Sequence, residues 1–557
     1  MSQSIEFPEL VHGVRTPNAL RLQHAHRLWA CRALAIIAVA LALLRAASTI
    51  ETFNNNCDEP FHISAAVGLY DLHKLISGTE QPPVSRLVAA IPLYFSGVHI
   101  PPGERGSAVI SEAASFVQGS EELMHSGVPY ETILFRTRLA MLVFPALALL
   151  YVYLLGRWLI GEIPALLALV FFSTDPGFLG HSMWVGTDMA ACAGYLAAAY
   201  YGMRWVMYRG HGRAAAAATA VALAFSSKFS CFIIAAALLA MILLRPLPRM
   251  IAKRDRSWKA CTRRWPRLRE WMVFLIVGFF VLWATYLFNI GALNDQSAFG
   301  PSNKFWSTWE RLPAWIKCVP IPMPSLPLGL IKLMGHLRYG HVAYLNGEVR
   351  IQGWWYYFPE TIALKSPLAL LAGLLIAAVL LLRKPRPQLL TMLALLLPAI
   401  VFMAAAMKGN VDIGIRHILP VIPFLYLIVS SQLVRARLTP LLLALIALAF
   451  VETASAHPDY SSYFNVAAGS EAGGSRYLLD SNIEYGQYVG ELAHWLRAPA
   501  RADRLYSTRL FMYPVASLMG HYGLDPAAAT RVPSGFFCIS KNVENGLLGP
   551  SQDDLET

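Results

Sequence analysis

TRLAMLVFPALALLYVYLLG, residues 137–156, is the stretch of this sequence that decides the fold. Its only charged residue, Arg138, stands near the start, and its length matches the roughly 20 apolar residues that a helix needs to cross a bilayer. Similar runs recur along the chain, which is 56% hydrophobic and only 14% charged. A soluble domain carries about 25% charged residues. The sequence therefore predicts a mainly α-helical, polytopic membrane protein.

About eleven such segments are predicted to span the membrane. The first follows a basic stretch and is expected to be an uncleaved anchor. The fifth and sixth form the least regular pair, because Ser226-Ser227-Lys228 interrupts them. The segments are residues 29–47, 137–156, 159–174, 188–206, 213–227, 229–245, 271–290, 367–383, 388–406, 417–434 and 438–453.

The net charge of +12 is concentrated in loops that share one side of these spans. The loop at 245–269 alone holds ten lysine and arginine residues. Basic loops of this kind face the cytoplasm, so the positive charge indicates membrane topology and not a nucleic-acid partner. The N-terminus is then predicted to be cytoplasmic and the C-terminus extracytoplasmic.

The extracytoplasmic side receives the longest connecting segments. The first outer loop, 48–136, contains apolar pieces at 61–76 and 84–98 that are too short to span and are predicted to be helices on the membrane surface. The tail mixes aromatic residues with short strand-like runs and is long enough for one small domain. We therefore expect a transmembrane domain at 1–453 and an α/β extracytoplasmic domain at 454–557.

Ionisable side chains of the outer side concentrate where predicted spans begin or end. Charge is costly in a bilayer, so such residues indicate a functional site when they are grouped. If the topology holds, they surround one site at the outer surface. They are Asp58, Glu59, His62 and Arg86 in the first outer loop, Arg138, His181 and Asp188 near the next spans, and Lys228, Arg416 and His417 farther along the chain.

The cations of this group suit a lipid phosphate. When a sugar is transferred from a lipid phosphate, the phosphate leaves as a stable anion, so it needs positive charge rather than a proton donor. Arg138, Lys228, Arg416 and His417 are therefore predicted to bind the donor phosphate, and arginine offers a planar fork for its oxygens.

The carboxylates suit the incoming hydroxyl, which is a poor nucleophile and needs a base. Asp58 is the predicted base, and Glu59 is predicted to orient the acceptor. One base with several cations favours displacement with inversion at the sugar carbon. A retaining route would need a second close carboxylate as nucleophile, and Glu59 and Asp188 leave that route open.

A series of motifs resembles one known group of proteins in order and spacing. The chain resembles the polytopic glycosyltransferases that use polyprenyl-phosphate sugars, the group that contains protein O-mannosyltransferases and the lipid A aminoarabinose transferase. It is most similar to a bacterial branch described as dolichyl-phosphate-mannose mannosyltransferase-like. The motifs are Asp58–His62, Glu80–Pro83, Asp175–Asp188, Gly353–Pro359, Lys365–Pro367, Gly414–Pro420, Tyr463–Asn465 and Asp480–Gln487.

This resemblance implies a GT-C-like helical bundle in a bacterial inner membrane. It implies that Asp58 is the catalytic base and that Arg138 contacts the donor phosphate. The expected partners are membrane lipid, a polyprenyl-phosphate-linked sugar such as mannose or a similar hexose or pentose, and a hydroxyl of a protein Ser/Thr, a glycolipid or an envelope glycan. No cofactor is required in principle, although Asp58 and Glu59 leave a divalent metal open.

Other interpretations of these residues stay open at this stage. Asp58-Glu59 or Asp188 can cap a helix, and His62, one turn from Asp58, can be its structural partner. His62, Arg86, His181 and Asp188 are accordingly the weaker candidates for substrate binding. The alternative function is a transporter or flippase of lipid-linked sugars, which is expected to place polar residues at mid-membrane in paired repeats.

Overall fold

The computed structural model describes residues 18–75, 78–100, 112–244, 265–294, 311–383, 389–498, 506–509, 515–524, 536–544 and 547. Most of the basic loop at 245–269, from which the orientation in the membrane is predicted, lies outside these residues. The predicted orientation therefore stays a prediction.

The described chain is mainly helical, as the sequence predicts. The helices of the first half are Asn18–Ala47, Asp58–Leu72, Val84–Ser96, Glu112–His125, Tyr130–Met141, Val143–Ile160, Glu162–Phe172, Pro176–Gly180, Asp188–Tyr208, His211–Ser227, Ile233–Leu244 and Leu268–Thr285. Those of the second half are Ala314–Cys318, Ser325–Tyr339, Tyr357–Lys365, Leu368–Arg383, Leu389–Lys408, Ile422–Arg435, Thr439–Ser455, Ser470–Gly474, Val489–Leu496, Val515–His521 and Lys541–Glu544. Single 3₁₀ turns occupy Phe229–Phe232, Ile415–Ile418, Val466–Ala468 and Asp480–Asn482.

The described strands are short and form two-stranded sheets. Ile290–Gly291 pairs with Ile321–Pro322, and Ala343–Leu345 pairs with Glu348–Arg350, both antiparallel. In the tail Tyr506–Arg509 runs parallel to Phe536–Ile539, with Tyr506 opposite Phe536. Helices and one parallel strand pair in the tail agree with the α/β character predicted for it.

Every predicted span overlaps a helix in the structure. In the described part of the chain, four helical segments are long and apolar enough to cross a membrane: His26–Ala47, Tyr130–Ile160, Leu268–Thr285 and Thr391–Lys408. Two helices that meet at an angle of 118°, Tyr357–Lys365 and Leu368–Arg383, make a fifth if they form one broken span. The several spans make this an integral membrane protein, while the number eleven stays a prediction.

The helix Asp58–Leu72 differs from its prediction as a surface helix. Its residues from Glu59 to Leu69 are buried, because the helices Val84–Ser96 and Glu112–His125 pack against it. Gly119 permits this close packing, since a Cβ there would lie 1.8 Å from the carbonyl oxygen of Pro60. The helix that carries Asp58 is therefore held inside the protein.

The second helix of the first outer loop agrees better with its prediction. Val84–Ser96 buries Ala89 and Leu93, but it exposes Ile91 and Phe95 on the opposite face. An amphipathic helix with exposed apolar side chains suits the surface of a bilayer. Only this one of the two apolar pieces has the character expected for a membrane-surface helix.

Candidate active site

A cavity of about 940 Å³ collects most of the predicted site residues. Seven of them line it, and Glu59, Arg86 and Arg138 do not. The seven are Asp58, His62, His181, Asp188, Lys228, Arg416 and His417.

Four of these side chains form one chain of ion pairs. Arg416 Nη1 donates to Asp58 Oδ2 at 2.5 Å and lies 3.9 Å from Asp188 Oδ2. Asp188 Oδ1 in turn accepts from Lys228 Nζ at 2.5 Å. Asp58 and Arg416 are 358 positions apart in the sequence, so the tertiary fold brings them together. Alternating charge keeps the cluster nearly neutral while each group stays ionised.

Asp58 faces this cluster because another residue caps its helix. Asn56 Oδ1 accepts from the backbone N–H groups of Asp58 and Glu59 at 2.9 and 3.0 Å. These first N–H groups of a helix have no partner within it, and a side-chain oxygen satisfies them. The capping role considered for Asp58-Glu59 thus falls to Asn56, which leaves the Asp58 carboxylate for the cavity.

Residues of the tail hold Arg416 in place. The backbone N–H of Ile415 donates to Asn482 Oδ1 at 3.2 Å, and Ser481 Oγ donates to the carbonyl of Ile413 at 2.5 Å. Gly414 has a φ of +140°, and a Cβ there would lie 2.6 Å from Ser481 Oγ. A side chain at position 414 would therefore push the Arg416 turn away from the tail.

Tyr485, also from the tail, lines the cavity but was not among the predicted site residues. The guanidinium carbon of Arg416 lies 5.2 Å from the centre of the Tyr485 ring, within the range of a cation–π contact. The backbone carbonyl of Tyr485 accepts from the N–H of Cys57, the residue before Asp58, at 2.8 Å. The motif Asp480–Gln487 contained this signal, since it carries the resemblance. The part of the tail described here is thus packed into the site, and the domain boundary after 453 stays a prediction.

The electrostatic environment keeps the Asp58 carboxylate ionised. Burial by itself would raise the pKa of Asp58, but Arg416, by charge and hydrogen bond, lowers it, and the net pKa lies below the usual range. A carboxylate in such a pair is a weak base. Asp58 can act as a strong base only when Arg416 is engaged elsewhere.

Arg86 lies behind His62 rather than in the cavity. Arg86 Nε donates to His62 Nδ1 at 3.2 Å, and Arg86 Nη1 donates to the carbonyls of Gly78 and Gln81 at 2.8 and 3.0 Å. Because Nδ1 accepts, the imidazole proton is on Nε2. Burial, followed by Arg86, lowers the pKa of His62 to about 3, so this imidazole is neutral at physiological pH.

His181 presents the opposite hydrogen-bonding character. Its Nδ1 donates to the carbonyl of Gly177 at 2.8 Å, so Nε2 carries a lone pair, and in the described part of the chain this buried atom has no hydrogen-bond partner. Burial lowers the pKa of His181 to about 4. The turn that carries it is fixed by Asp175, whose Oδ1 accepts from Phe178 N at 2.8 Å as a helix cap.

Glu59 and Arg138 form a buried pair that does not line the cavity. Both side chains are 0% exposed. Arg138 Nε donates to Glu59 Oε1 at 2.9 Å and Nη2 to Oε2 at 2.7 Å, while its remaining N–H groups donate to the carbonyls of Ile50, Phe53 and Asn54.

All five N–H donors of Arg138 are therefore engaged, and none remains for a phosphate. Glu59 also accepts from the backbone N–H of Asn56 and Val185, at 3.0 and 3.1 Å. This pair ties the first outer loop to the segment after His181. The placement supports neither phosphate binding by Arg138 nor acceptor binding by Glu59.

Two further polar contacts in the cavity wall were not predicted. Glu80 Oε2 lies 3.5 Å from Lys332 Nζ, which joins the first outer loop to the helix Ser325–Tyr339. Thr187 Oγ1 donates to Gln81 Oε1 at 3.0 Å, beside Asp188. The sequence offered a signal for the first-loop members in Glu80–Pro83, whereas Lys332 lies in no motif.

The structure also bears on the metal that Asp58 and Glu59 left open. Because Glu59 turns to Arg138 and Asp58 to Arg416, the two adjacent carboxylates do not share a site. Within the described ranges, no group of three or more His, Cys, Asp and Glu residues is arranged to hold a metal ion.

Comparisons with known proteins found structural likeness only. No family model and no curated protein matches the chain. The chain is similar to ArnT from Cupriavidus metallidurans bound to undecaprenyl phosphate, with 14% identity, a TM-score of 0.46, and coverage of 89% of this chain and 73% of that one.

Two other similar structures bear transferase names. For AglB, the oligosaccharyltransferase from Archaeoglobus fulgidus in complex with an inhibitory peptide and a dolichol-phosphate, identity is 14%, the TM-score 0.44, and coverage 89% of this chain and 65% of that one. For the S. cerevisiae protein O-mannosyltransferase Pmt1-Pmt2 complex, identity is 15%, the TM-score 0.31, and coverage 45% of this chain and 33% of that one. These names belong to the class that the sequence motifs resemble. At these TM-scores the likeness assigns no residue of this chain a role.

Proposed function

We propose that this protein is a membrane glycosyltransferase that transfers a sugar from a polyprenyl phosphate to a hydroxyl acceptor on the extracytoplasmic face. One observation carries the proposal: a carboxylate, Asp58, and two cations, Arg416 and Lys228, meet in a cavity whose remaining wall is largely apolar. Six of the eight motifs that resemble lipid-phosphate-dependent glycosyltransferases contribute residues to the wall of this cavity, and Lys365–Pro367 and Tyr463–Asn465 do not.

The wall of the cavity suits an amphipathic ligand. Beside the ion pairs it is lined by aromatic and aliphatic side chains, some from helices that are predicted to lie in the membrane and some from the helix Ser325–Tyr339, which lies between two predicted spans. Apolar surface of this kind binds hydrocarbon, while the cations bind a phosphate. A polyprenyl phosphate has both parts. The apolar residues include Phe225, Phe229, Phe232, Ile233, Leu333, Leu337, Phe402, Ala405 and Ala406.

Arg416 is the principal phosphate ligand of this proposal. Its Nε is buried and has no hydrogen-bond partner within the described ranges, although its Nη1 is paired with Asp58. Lys228, paired with Asp188, and His417 stand in the same wall. A phosphate near Arg416 and Lys228 gains two charge-assisted interactions, which are stronger than neutral hydrogen bonds.

Binding of the donor would also activate the base. A phosphate that engages Arg416 competes with Asp58 for the same guanidinium, and loss of that partner raises the pKa of the Asp58 carboxyl toward its usual value. Asp58 then accepts the proton of the acceptor hydroxyl more readily. Donor binding is thereby coupled to activation of the acceptor.

The transfer itself is a single displacement. The acceptor oxygen forms a bond to the anomeric carbon, its proton passes to Asp58, and the bond from that carbon to the phosphate oxygen breaks. The bonding electrons leave with the polyprenyl phosphate, whose added negative charge Arg416 and Lys228 stabilise. Configuration inverts. A retaining route is disfavoured because Glu59 is saturated by Arg138 and Asp188 is held by Lys228.

We further propose mannose, or a similar hexose or pentose, as the sugar, and a protein Ser/Thr, a glycolipid or an envelope glycan as the acceptor. The motifs that resemble the bacterial mannosyltransferase-like branch support this choice. They also support a place in a bacterial inner membrane, and the basic loops of the sequence support an N-terminus in the cytoplasm and a C-terminus in the periplasm.

Asp58→Asn tests the proposal against a matched control, Glu51→Gln, which alters an exposed carboxylate of the same loop. In proteoliposomes supplied with a polyprenyl-phosphate-linked mannose, Asp58→Asn should bind the donor and reduce transfer at least 100-fold, the scale of general-base catalysis. Glu51→Gln should transfer normally. Normal transfer by Asp58→Asn would remove Asp58 as the base. Movement of the donor between leaflets without transfer would instead establish a flippase.

A further inference from the structure

We propose that His62 and His181 form the subsite that binds the hydroxyl groups of the transferred sugar, and that this sugar is an uncharged ring. The inference rests on the proposed function, because it defines the sugar end of the same donor site. It follows from the hydrogen-bonding state of two imidazoles in one cavity wall.

His62 supplies a fixed hydrogen-bond donor. Its side chain is buried, with 5% exposed, and lines the cavity one helical turn from Asp58. Since Arg86 Nε donates to Nδ1, the remaining ring proton is on Nε2, the atom at the far side of the ring from Arg86. Arg86 is 0% exposed, and its hydrogen bonds to the carbonyls of Gly78 and Gln81 hold it in place. Arg86 therefore fixes the tautomer of His62.

His181 supplies the matching acceptor. Its side chain is 4% exposed and lines the same cavity. The Nδ1–H donates to the carbonyl of Gly177, so Nε2 has a lone pair, and that buried atom has no partner among the described residues. A buried acceptor without a partner costs free energy unless a ligand supplies a donor. A hydroxyl group can supply one, since it both donates and accepts.

The two imidazoles belong to the same electrostatic neighbourhood. Asp188 and Arg416 act on both of them, raising and lowering their affinity for a proton, respectively. The proposed function places Arg416 at the donor phosphate, together with Lys228, the ion-pair partner of Asp188. A sugar attached to that phosphate would therefore lie beside His62 and His181 and near the Asp58 carboxylate.

The charges of the cavity favour a neutral sugar. Among the lining residues that the structure describes, each carboxylate is already paired with a cation: Asp58 with Arg416, Asp188 with Lys228, and Glu80 with Lys332. Burial lowers the pKa of both imidazoles, so neither of them brings a positive charge to the cavity. Neither imidazole carries a charge that would compensate the charge of an amino sugar or an acidic sugar at the ring, and an uncompensated charge is costly to bury.

Binding of two probes that differ only in the sugar tests the subsite. Polyprenyl phosphate and polyprenyl-phosphate mannose are titrated against detergent-solubilised protein carrying His62→Ala or His181→Ala. Each variant should bind the mannosylated probe about tenfold more weakly, the loss expected for one hydrogen bond, and the bare phosphate within twofold of the wild type. His125→Ala, which alters an exposed histidine of the same loop, should bind both probes normally.

A second variant guards against a general effect on folding. His62→Gln keeps an N–H donor near the position of Nε2 and should restore most of the affinity for the mannosylated probe. Equal losses for both probes, or no loss for either, would overturn the subsite. Tighter wild-type binding of a polyprenyl-phosphate-linked aminopentose than of the mannosylated probe would overturn the neutral sugar. Failure of the wild type to bind polyprenyl phosphate itself would overturn the proposed function, and the subsite with it.

Discussion

Glu59→Gln should destabilise the fold by about 3–5 kcal/mol, whereas Asp58→Asn, one residue earlier, should cost about 1 kcal/mol or less. Both substitutions keep the size of the side chain and remove one negative charge. The surroundings differ: the Asp58 side chain is 32% exposed beside Arg416, and Glu59 and Arg138 are both 0% exposed. The pair of variants therefore separates a structural carboxylate from a catalytic one.

The magnitude follows from the contacts of the two Glu59 oxygens. Oε1 accepts from Arg138 Nε and Val185 N, and Oε2 accepts from Arg138 Nη2 and Asn56 N. A glutamine must place its amide NH₂ at one of these positions, where it faces two N–H donors. One bond to a charged group, equivalent to about 1.5–3 kcal/mol, and one backbone bond of about 1 kcal/mol are lost. Arg138 also loses its counter-charge, which brings the cost into the range for a broken buried pair.

Chemical unfolding in detergent micelles, followed by far-UV circular dichroism, measures the difference, and transfer of mannose is assayed on the same preparations. The expected pattern is low stability with residual transfer by the folded fraction of Glu59→Gln, and normal stability without transfer for Asp58→Asn. A Glu59→Gln protein that unfolds within 1 kcal/mol of the wild type but transfers no sugar would refute the reasoning. Glu59 would then be a catalytic residue.

Two further predictions concern pH and the tail. Because Arg416 holds the pKa of Asp58 below the usual value of about 3.9, kcat/KM for the donor should stay constant from about pH 8 to pH 5. The fall of kcat in acid should begin at a higher pH than the fall of kcat/KM, because the bound donor competes with Asp58 for Arg416. A pH–rate profile in which both parameters fall at the same pH would contradict this exchange. Because the pKa of Asp58 is lowered in the folded protein, the Asp58–Arg416 pair stabilises the fold at any pH above the usual pKa of aspartate. Thermal unfolding should show that this stabilisation is lost as the pH falls through the lowered pKa. Lys365→Met should cost about 1–3 kcal/mol and raise KM for the donor. Lys365 Nζ donates to the carbonyls of Ser461 and Asn482, and the side chain of Asn482 accepts from the backbone N–H of Ile415 in the Arg416 turn. An unchanged KM would show that the tail does not position Arg416.

The sequence singled out the segments from which the candidate site is built. Charge at the ends of apolar spans is costly, so Asp58, Asp188, Lys228 and Arg416 were recognisable as candidates from their positions alone. The structure places all four in one chain of ion pairs. The sequence could not predict the distances between these residues, because no periodicity relates residues that lie hundreds of positions apart.

The sequence was least able to distinguish arginines. Arg138 and Arg416 both stand at the start of an apolar segment, and both were predicted to bind phosphate. Arg138 turns inward to Glu59 and three carbonyls, and Arg416 turns to the cavity. The rotation of each helix about its axis decides which way a side chain points, and that rotation is set by packing against neighbouring helices.

The sequence by itself determined that this chain is a helical membrane protein and which few ionisable residues are candidates for chemistry, since the bilayer penalises charge and unpaired backbone wherever they occur. Only the tertiary structure decided which carboxylate meets the cavity, which arginine is saturated, and which imidazole donates or accepts. These properties depend on contacts between distant segments, such as Asn482 with Ile415 and Arg86 with His62. Local sequence patterns do not predict such contacts.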